Sequence, residues 1–438
     1  MSNVRKSYDV KPGRRAVIVG GMRTPFAKAF NELVELDTMA LGVIAARALI
    51  NKLRLNEREI DSLIWGSVVL PPLSVNVGRE IGLDLGLPRG VDGLTVTRAC
   101  ASGLQAITSA AMAIELGEVD VVLCGGSEST SNAPVAFPPK VTQILGPVAL
   151  SGKATAGDLL GALAQLMPLS EVLPGKPRIA ERSTGEVMGE SAERMAKRNE
   201  ISREAQDAFA ARSHHRAAAA VASGRFDDEI TPVKTRKGYL HVDPMIRADT
   251  SEAKLAKLRP VFAKDGTITA GNATALTDGA AAVMLMSEEK ARALGYKPLA
   301  AVRAWNYSAV DPADQLLIGP ALCMPRALER AGLKLGDIDL IDIHEAFAAQ
   351  TLSVLKMLAS KAWAEERLGW SEAVGEVDPA KLNVLGGSLA IGHPFGATGP
   401  RMVTTMANEL QRTGKRTALL GICAAGGLGG AAVLERID

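Results

Sequence analysis

The sequence predicts an α/β fold made of two similar halves, with an inserted domain interrupting the first. Three observations carry this. Apolar runs of strand length alternate with stretches of helical period up to about Gly126. The texture then changes, and residues 127–256 are rich in Pro, Gly, Ser and charge. Finally, residues 47–66 (RALINKLRLNEREIDSLIWG) reappear as residues 326–344 (RALERAGLKLGDIDLIDIH). With one gap, each copy is a helix, a Leu-basic-Leu connection, an acidic turn and a strand beginning at Ile-Asp. The expected domains are 1–126 and 257–299 for the two parts of the N-terminal core half, 127–256 for the insertion, and 300–438 for the C-terminal core half.

Taken in order, residues 15–20 read as a buried strand, and Pro25 in Arg23-Thr-Pro-Phe26 ends strand continuation. Residues 37–53 carry Met39, Ile44, Ala48 and Leu49 at helical spacing. Strands are expected within 59–69 and 92–99. A helix follows from Cys100 to about Gly117, with Leu104, Ile107, Ala111 and Ile114 on its apolar side. Residues 119–124 read as another strand, closed by Gly125-Gly126. This alternation argues for a parallel sheet.

Within the insertion, 158–167 and 205–223 are helical. Leu159, Leu160, Leu163, Leu166 and Met167 share one face, expected to pack inside the insertion, with docking to a partner or membrane surface as the alternative. Core character returns near Leu258. Ala270-Gly-Asn-Ala-Thr-Ala-Leu-Thr-Asp-Gly279 is a loop of small residues suited to close ligand contact, and an apolar run to Met286 follows. After the second copy of the repeat comes a strand with a glycine-rich turn at 383–387. His393 then sits in Gly392-His-Pro-Phe-Gly-Ala-Thr-Gly399, before a helix carrying Met402, Val403, Met406 and Leu410. Strand 418–422, the turn Cys423-Ala-Ala-Gly-Gly-Leu-Gly-Gly430 and strand 431–437 close the chain.

At 438 residues and 47% hydrophobic, the chain can bury a large core. Its 50 basic and 48 acidic side chains leave a formal charge of +2, so nucleic acid is not expected as the main partner. Four cysteines are too few and too scattered for a disulfide scaffold, and a reducing compartment is expected. No apolar run is expected to span a membrane. The basic N-terminus lacks an apolar signal core, is short and carries Asp9, which argues against a targeting peptide. A cytoplasmic location is expected, with the mitochondrion as the alternative.

Cys100 sits where a strand hands over to a helix, so the helix dipole and free N–H groups are expected to favour its thiolate. Ser102 and Gly103 are expected to leave room for a substrate. A buried core cysteine is the ordinary alternative. The duplication puts His393 at the equivalent point of the second half, and a pseudo-twofold would turn both residues toward one site. Cys100 is then a nucleophile able to form a thioester, and His393 a base able to take its proton. Cys423, in a turn without bulk, would move a proton at a carbon beside a carbonyl with a thiol pKa of about 8. His344 ends a strand and is placed to help hold an oxyanion. Each histidine taken alone also reads as a hydrogen-bonded structural residue. Cys124 and Cys323 read as packing residues. His214 and His215 are expected at the surface, because no metal-ligand spacing surrounds them.

The motifs Arg23-Thr-Pro-Phe26, Ala99-Cys-Ala-Ser-Gly103, Gly125-Gly-Ser-Glu-Ser129, Met188-Gly189, Lys257-Leu-Arg-Pro260, Ala270-Gly-Asn-Ala-Thr274 with Asp278-Gly279, His344-Glu-Ala-Phe347, Gly392-His-Pro394 and Cys423-Ala-Ala-Gly-Gly427 occur in this order. With the duplication, the chain resembles the thiolases over essentially its whole length. The resemblance implies a five-layered αβαβα core with an inserted loop domain that holds coenzyme A. It implies Cys100 as the acylated nucleophile, His393 as its base and Cys423 as the acid/base at the acetyl α-carbon. It implies one oxyanion hole from His393 and His344, and another from the backbone N–H groups of Cys100 and Ala425. Arg247 matches the position that stacks on the adenine; Met188, Ala270 and Thr274 match positions lining the coenzyme A tunnel. Coenzyme A is a substrate, and no metal or permanently bound cofactor is implied.

His344 stands where the commonest pattern has Asn, Gly125-Gly-Ser-Glu-Ser129 lacks a usual Met, and residues 135–186 form a longer insertion. With Asp314-Gln-Leu-Leu317 before Gly319-Pro320, these features resemble the β subunit of trifunctional fatty-acid-oxidation complexes. That subgroup implies thiolysis of 3-ketoacyl-CoA in fatty-acid β-oxidation, a homodimer or dimer of dimers, and a hydratase/dehydrogenase α subunit as a possible partner. The alternative is an acetyl-CoA C-acetyltransferase that forms acetoacetyl-CoA. Cys423 argues against a ketoacyl synthase, and two idle glycine-rich turns argue against a Cys–His hydrolase. A catalytically silent lipid- or partner-binding protein of the same fold would not need Cys100, His393 and Cys423 together.

Overall fold

The computed structural model describes residues 14–174 and 180–438. The stretch 1–13, which bears on targeting, and residues 175–179 of the insertion lie outside the described residues. The strands are β1 (Ala16–Arg23), β2 (Ala27–Lys28), β3 (Ser62–Gly66), β4 (Asp92–Val96), β5 (Val121–Ser129), β6 (Val233–Thr235), β7 (Gly238–Leu240), β8 (Thr277–Ser287), β9 (Ala300–Ala309), β10 (Leu340–Ile343), β11 (Thr417–Ala424) and β12 (Leu428–Arg436). The helices of the first half are α1 (Thr38–Leu53), α2 (Val77–Asp84) and α3 (Ser102–Leu116). Next come α4 (Pro139–Ala149), α5 (Ala156–Gln165), α6 (Met188–Arg198), α7 (Arg203–Ala222), α8 (Glu252–Leu255) and α9 (Glu288–Ala293). The second half adds α10 (Gly319–Ala331), α11 (Ala348–Leu358), α12 (Lys361–Leu368), α13 (Ser388–Ile391) and α14 (Phe395–Thr413).

Ten strands form one sheet with the main path β10-β11-β12-β9-β1-β8-β5-β3-β4, and β2 pairs with β8. The sheet is mixed, which corrects the parallel expectation. Strands β3–β4, β3–β5 and β10–β11 are parallel, whereas β8, β9 and β12 pair antiparallel with their neighbours. For β11 and β12 the cause is connection length: only residues 425–427 separate them, and so short a turn can only reverse the chain. The two halves meet where β1 pairs with β9 at Val17–Ala301 and Ile18–Ala300.

Helices and sheet stack as five layers, α-β-α-β-α. On one outer side Leu41 and Leu49 of α1 and Ile81 of α2 pack on Leu63 and Trp65. On the other, Met324 and Leu328 of α10 and Val354 of α11 pack on Leu419 and Val433. Between the sheet halves lie α3 and α14, joined through Leu104, Ile107, Met402 and Met406. The duplicated sequence is a duplicated structure. α1 closes on Arg54 in the left-handed region (φ 50), continues through a 3-10 turn at Glu57–Glu59 and enters β3. α10 closes on Gly332 (φ 66), turns at Leu335–Asp337 and enters β10.

Three expectations change. Ala99–Leu116 does have the length and apolarity of a membrane span, although 61% of it is buried inside the fold as the central helix. β5 does not stop at Gly125-Gly126 but runs on to Ser129, and the missing side chain at Gly126 admits α14. An added Cβ at Gly126 would lie 1.9 Å from the Gly396 carbonyl oxygen, and one at Gly103 would lie 2.1 Å from it. Residues 383–387 form no strand; an isolated bridge joins Ile341 to Leu382, and Asn383 takes φ 46 before the short helix α13.

Residues Ala133–Ala180 form a separate compact unit that contains α4 and α5. Thr155 and Asp158 cap α5 reciprocally. Within this unit Leu166 is buried, but Leu160 and Met167 are 68% and 61% exposed, and Leu159 and Leu163 are about half exposed. The apolar face is therefore largely open to solvent rather than packed inside the insertion.

Candidate active site

The loop before α3 is wound by its own side chains. The Ser102 hydroxyl donates to Ala99 O (2.6 Å) and accepts from Arg98 N–H (2.7 Å), while Ala99 takes φ 46. Cys100 is presented at the top of this turn. Ser102 and Gly103 were expected to leave room for a substrate. Instead Ser102 is buried as the pin of the loop, and Gly103 gives its space to α14. The same close approach brings the start of α14, and His393 just before it, beside the start of α3. The backbone N–H of His393 donates to Thr277 Oγ1 (3.1 Å), and its Nδ1 lies 2.6 Å from Thr398 Oγ1 one turn on.

His344 leaves the end of β10, its N–H bonded to Gly421 O at 2.8 Å and its Nδ1 2.8 Å from Ser388 Oγ. The two imidazoles face each other with centroids 4.0 Å apart and a 40° tilt, and Phe395 lies edge-on to His393 at 5.2 Å. Both Nε2 atoms are buried without a hydrogen-bond partner among the described residues. Buried polar atoms are paired in the great majority of cases, so two adjacent exceptions mark groups that serve a ligand.

Cys423 lies on the last residues of β11 opposite Gly429, so it is a strand residue and not part of the turn. The turn proper is 425–427, where Gly426 and Gly427 take φ 80 and 68. The backbone N–H groups of Ala425 and of Cys100 itself act on the Cys100 sulfur, and that sulfur in turn influences Cys423. Cys100, Ala425 and Cys423 therefore meet across the two halves, His344 and His393 meet face to face, and the backbone of Ala346, two residues past His344, reaches Cys423.

The electrostatics differ from the expectation of a favoured thiolate. Burial pushes the Cys100 thiol up to about 12, outweighing the two N–H groups that favour ionisation. Burial also raises Cys423 well above an ordinary thiol, so it is not poised near 8. Burial first, and the Arg401 cation second, hold His393 down at about 3; His344 is held well below its ordinary range by burial, His393 and Arg401. These shifts favour the neutral thiol of Cys100, which keeps a partly exposed surface, and the neutral imidazole of His393.

Several polar residues were not singled out from sequence. Glu128, inside the Gly125–Ser129 motif, is buried at the start of α14. It accepts from the N–H groups of Val68 (3.1 Å), Val69 (2.8 Å) and Gly396 (3.3 Å) and from Ser67 Oγ (3.3 Å), and burial raises its carboxyl to about 7. Glu345 accepts from Ser213, Asn383 and Leu389 N–H. Arg401 and Asp342 form a buried pair at 2.9 Å. For Asp342, a lone carboxylate inside the apolar run Leu340–Ile343 was the available signal.

Of the coenzyme A candidates, Thr274 adjoins the cluster, its Oγ1 donating to Ser388 O (2.9 Å) and its N–H to Ala346 O (3.0 Å). Met188 is half-buried at the start of α6, Ala270 is exposed in its loop, and Arg247 is exposed with its N–H on His214 Nδ1 at 3.2 Å. His214 is thus buried, not a surface residue, and burial pushes its pKa down to about 4; His215 is exposed and bonds Thr250 O. On this face of α7 a groove of about 430 Å³ is lined by Arg212, His215, Arg216 and Ser251.

A duplicated five-layered core with two thiols and two facing imidazoles at the junction of its halves is the arrangement of one family of acyl-transfer proteins. The family profile described as "Thiolase, N-terminal domain" matches residues 16–289, and "Thiolase, C-terminal domain" matches residues 296–436. The chain belongs to the thiolase family. It is 47% identical over 426 residues to the 3-ketoacyl-CoA thiolase of Pseudoalteromonas translucida, covering 97% of each chain. The crystal structure of human mitochondrial 3-ketoacyl-CoA thiolase in complex with CoA is similar with a TM-score of 0.80 and 32% identity, covering 97% of this chain and 98% of that one. The Bacillus anthracis acetyl-CoA acetyltransferase structure gives 0.81 and 34%, covering 97% and 99%.

Proposed function

We propose that this protein is an acetyl-CoA acyltransferase that uses coenzyme A to cleave 3-oxoacyl-CoA into acetyl-CoA and a shortened acyl-CoA in fatty-acid β-oxidation. The observation that carries the reading is the pair of facing imidazoles, His344 and His393, whose buried Nε2 atoms have no hydrogen-bond partner among the described residues. Cys100 attacks the 3-keto carbon as His393 Nε2 takes its proton. With both groups held neutral, proton transfer accompanies attack. For Nε2 to be a base, Nδ1–H must donate to Thr398 Oγ1, the contact seen at 2.6 Å. The N–H groups of Cys100 and Ala425 hold the resulting oxyanion. As the Cα–Cβ bond breaks, the enolate oxygen of acetyl-CoA is held by His344 and protonated His393, and Cys423 protonates its α-carbon. Coenzyme A, its thiol proton passing to the Cys423 thiolate, then takes the acyl group, and protonated His393 returns its proton to the departing Cys100 sulfur. Arg247, Met188, Ala270 and Thr274 bind coenzyme A, and the basic groove on α7 suits its phosphates.

A second reading, acetoacetyl-CoA-forming acetyltransferase, is favoured by the similarity to the Bacillus anthracis protein. Thiolysis of 3-oxoacyl-CoA from four to sixteen carbons separates the two. Faster turnover of medium and long chains is expected. Activity confined to acetoacetyl-CoA would move the protein to the second reading.

His344 and the 135–186 insertion favour the trifunctional β-subunit type; we further propose that it works as a homodimer or dimer of dimers in the cytoplasm. The exposed face of α5 suits a hydratase/dehydrogenase α subunit. Light scattering at native expression is expected to give the mass of two or four chains, increased by any co-purifying α subunit; the mass of one chain would overturn the oligomer.

A further inference from the structure

His344 makes an oxyanion donor only if its proton is on Nε2, and a neutral imidazole chooses its tautomer by what its other nitrogen touches. Asp342 and His344 are two residues apart along and just past β10, so both project to the side where α14 lies. Asp342 is 1% exposed, and its Oδ2 accepts from Arg401 Nη1 at 2.9 Å. That ion pair fixes the planar guanidinium of Arg401, itself 1% exposed, with Nη2 directed at Ser388 Oγ, 3.4 Å away. Ser388 Oγ lies 2.8 Å from His344 Nδ1.

Donor bookkeeping along this line has one direction. Arg401 has only hydrogens to give, so Ser388 Oγ is an acceptor from it. The single hydroxyl hydrogen of Ser388 is then left for His344, and among the described residues that hydroxyl makes no other hydrogen bond. An Oγ that accepted from both Arg401 and Nδ1–H would leave its own hydrogen buried without an acceptor, so Nδ1 accepts. A nearby guanidinium also opposes a second positive charge on the ring, so the one proton of the neutral imidazole sits on Nε2.

We propose that Asp342, Arg401 and Ser388 form a relay that fixes His344 in its Nε2–H tautomer, which makes them positioning residues for the first oxyanion hole. This rests on the thiolase reading for its catalytic consequence, but not for the tautomer itself. The relay makes His344 a donor with no reorganisation during the reaction, the condition under which a hydrogen bond contributes most to a developing oxyanion.

The test uses the full chain labelled with 15N-histidine. Two-bond 1H–15N spectra of the wild type are expected to show His344 protonated on Nε2 with Nδ1 as acceptor. In Ser388→Ala the Nδ1 resonance is expected to move as its hydrogen bond is lost. The kcat for thiolysis should fall about 10–100-fold, the scale seen when the outer partner that orients a metal-bound histidine is removed. Ser388→Thr, which keeps the hydroxyl, is expected to restore most of kcat, and alkylation of Cys100 is expected to be unchanged in all three proteins. A wild-type His344 protonated on Nδ1 would overturn the relay, as would a Ser388→Ala protein with wild-type kcat. A wild type that thiolyses no 3-oxoacyl-CoA would instead remove the thiolase reading, and the spectra would still decide the relay.

Discussion

Cys100→Ala is expected to abolish thiolysis, with a loss on the order of 10⁶ in kcat, the scale seen when a catalytic nucleophile is removed. No acyl-enzyme should be detected by mass spectrometry. Cys423→Ala is expected to differ in kind. It should still accept an acyl group at Cys100, slowly, but should not exchange the α-protons of acetyl-CoA with solvent deuterium. Equal loss of both signals in both variants would mean that the two thiols have been given the wrong roles. The ionisation state of Cys100 adds a pH signature. Its thiol is held at about 12, so the thiolate fraction is small and grows as pH rises. Alkylation of the wild type should therefore climb about tenfold per pH unit through the neutral range, with no plateau. A plateau near pH 7 would show a preformed thiolate and contradict the neutral pair.

Arg23→Met is expected to destabilise the fold by about 3–5 kcal/mol, because it leaves buried carboxylates without their cation. Arg23 is fully buried and clasps Asp243 with two hydrogen bonds of 2.8 Å, while its Nε lies 3.6 Å from Glu229. Its guanidinium is stacked between the rings of Phe26 and Phe226 at 5.0 and 5.3 Å. Glu229 in turn accepts from Thr405 of α14 at 3.0 Å, so the cluster ties the end of β1 to the helix that follows His393. Urea denaturation should show a lower midpoint at unchanged slope. Asp243→Asn in the same chain should recover part of the loss, since it removes one of the uncompensated charges. A cost below about 1 kcal/mol would place this pair with exposed ion pairs and refute the argument.

Much of the fold was legible because it is local. The helices read at 37–53 and up to about Gly117 are both present: Asp37 caps α1 by accepting from Ala40 N–H, and Gly117 closes α3 at φ 83. The repeated 47–66 and 326–344 segments announced a duplicated core without any knowledge of pairing. The direction of β12 was legible in its short connection from β11, but that of β8 was not, since its own residues carry no sign of which neighbours it will meet. Nor was the exposure of Leu160 and Met167, because helical spacing marks an apolar face but not what lies against it.

The sequence alone determined the chemistry on offer: two thiols and two histidines, each placed by short motifs at the end of a strand or the start of a helix, in a chain whose halves repeat. Only the tertiary structure decided how those groups behave. Burial, a property of the whole packed core, reversed the expected ionisation of Cys100 and Cys423 and kept both imidazoles neutral. Glu128, Asp342, Arg401 and Ser388 acquired partners only when segments far apart in the chain came together around α14. Hydrogen-bond direction and desolvation depend on every neighbour in space, and a linear pattern specifies only the neighbours along the chain.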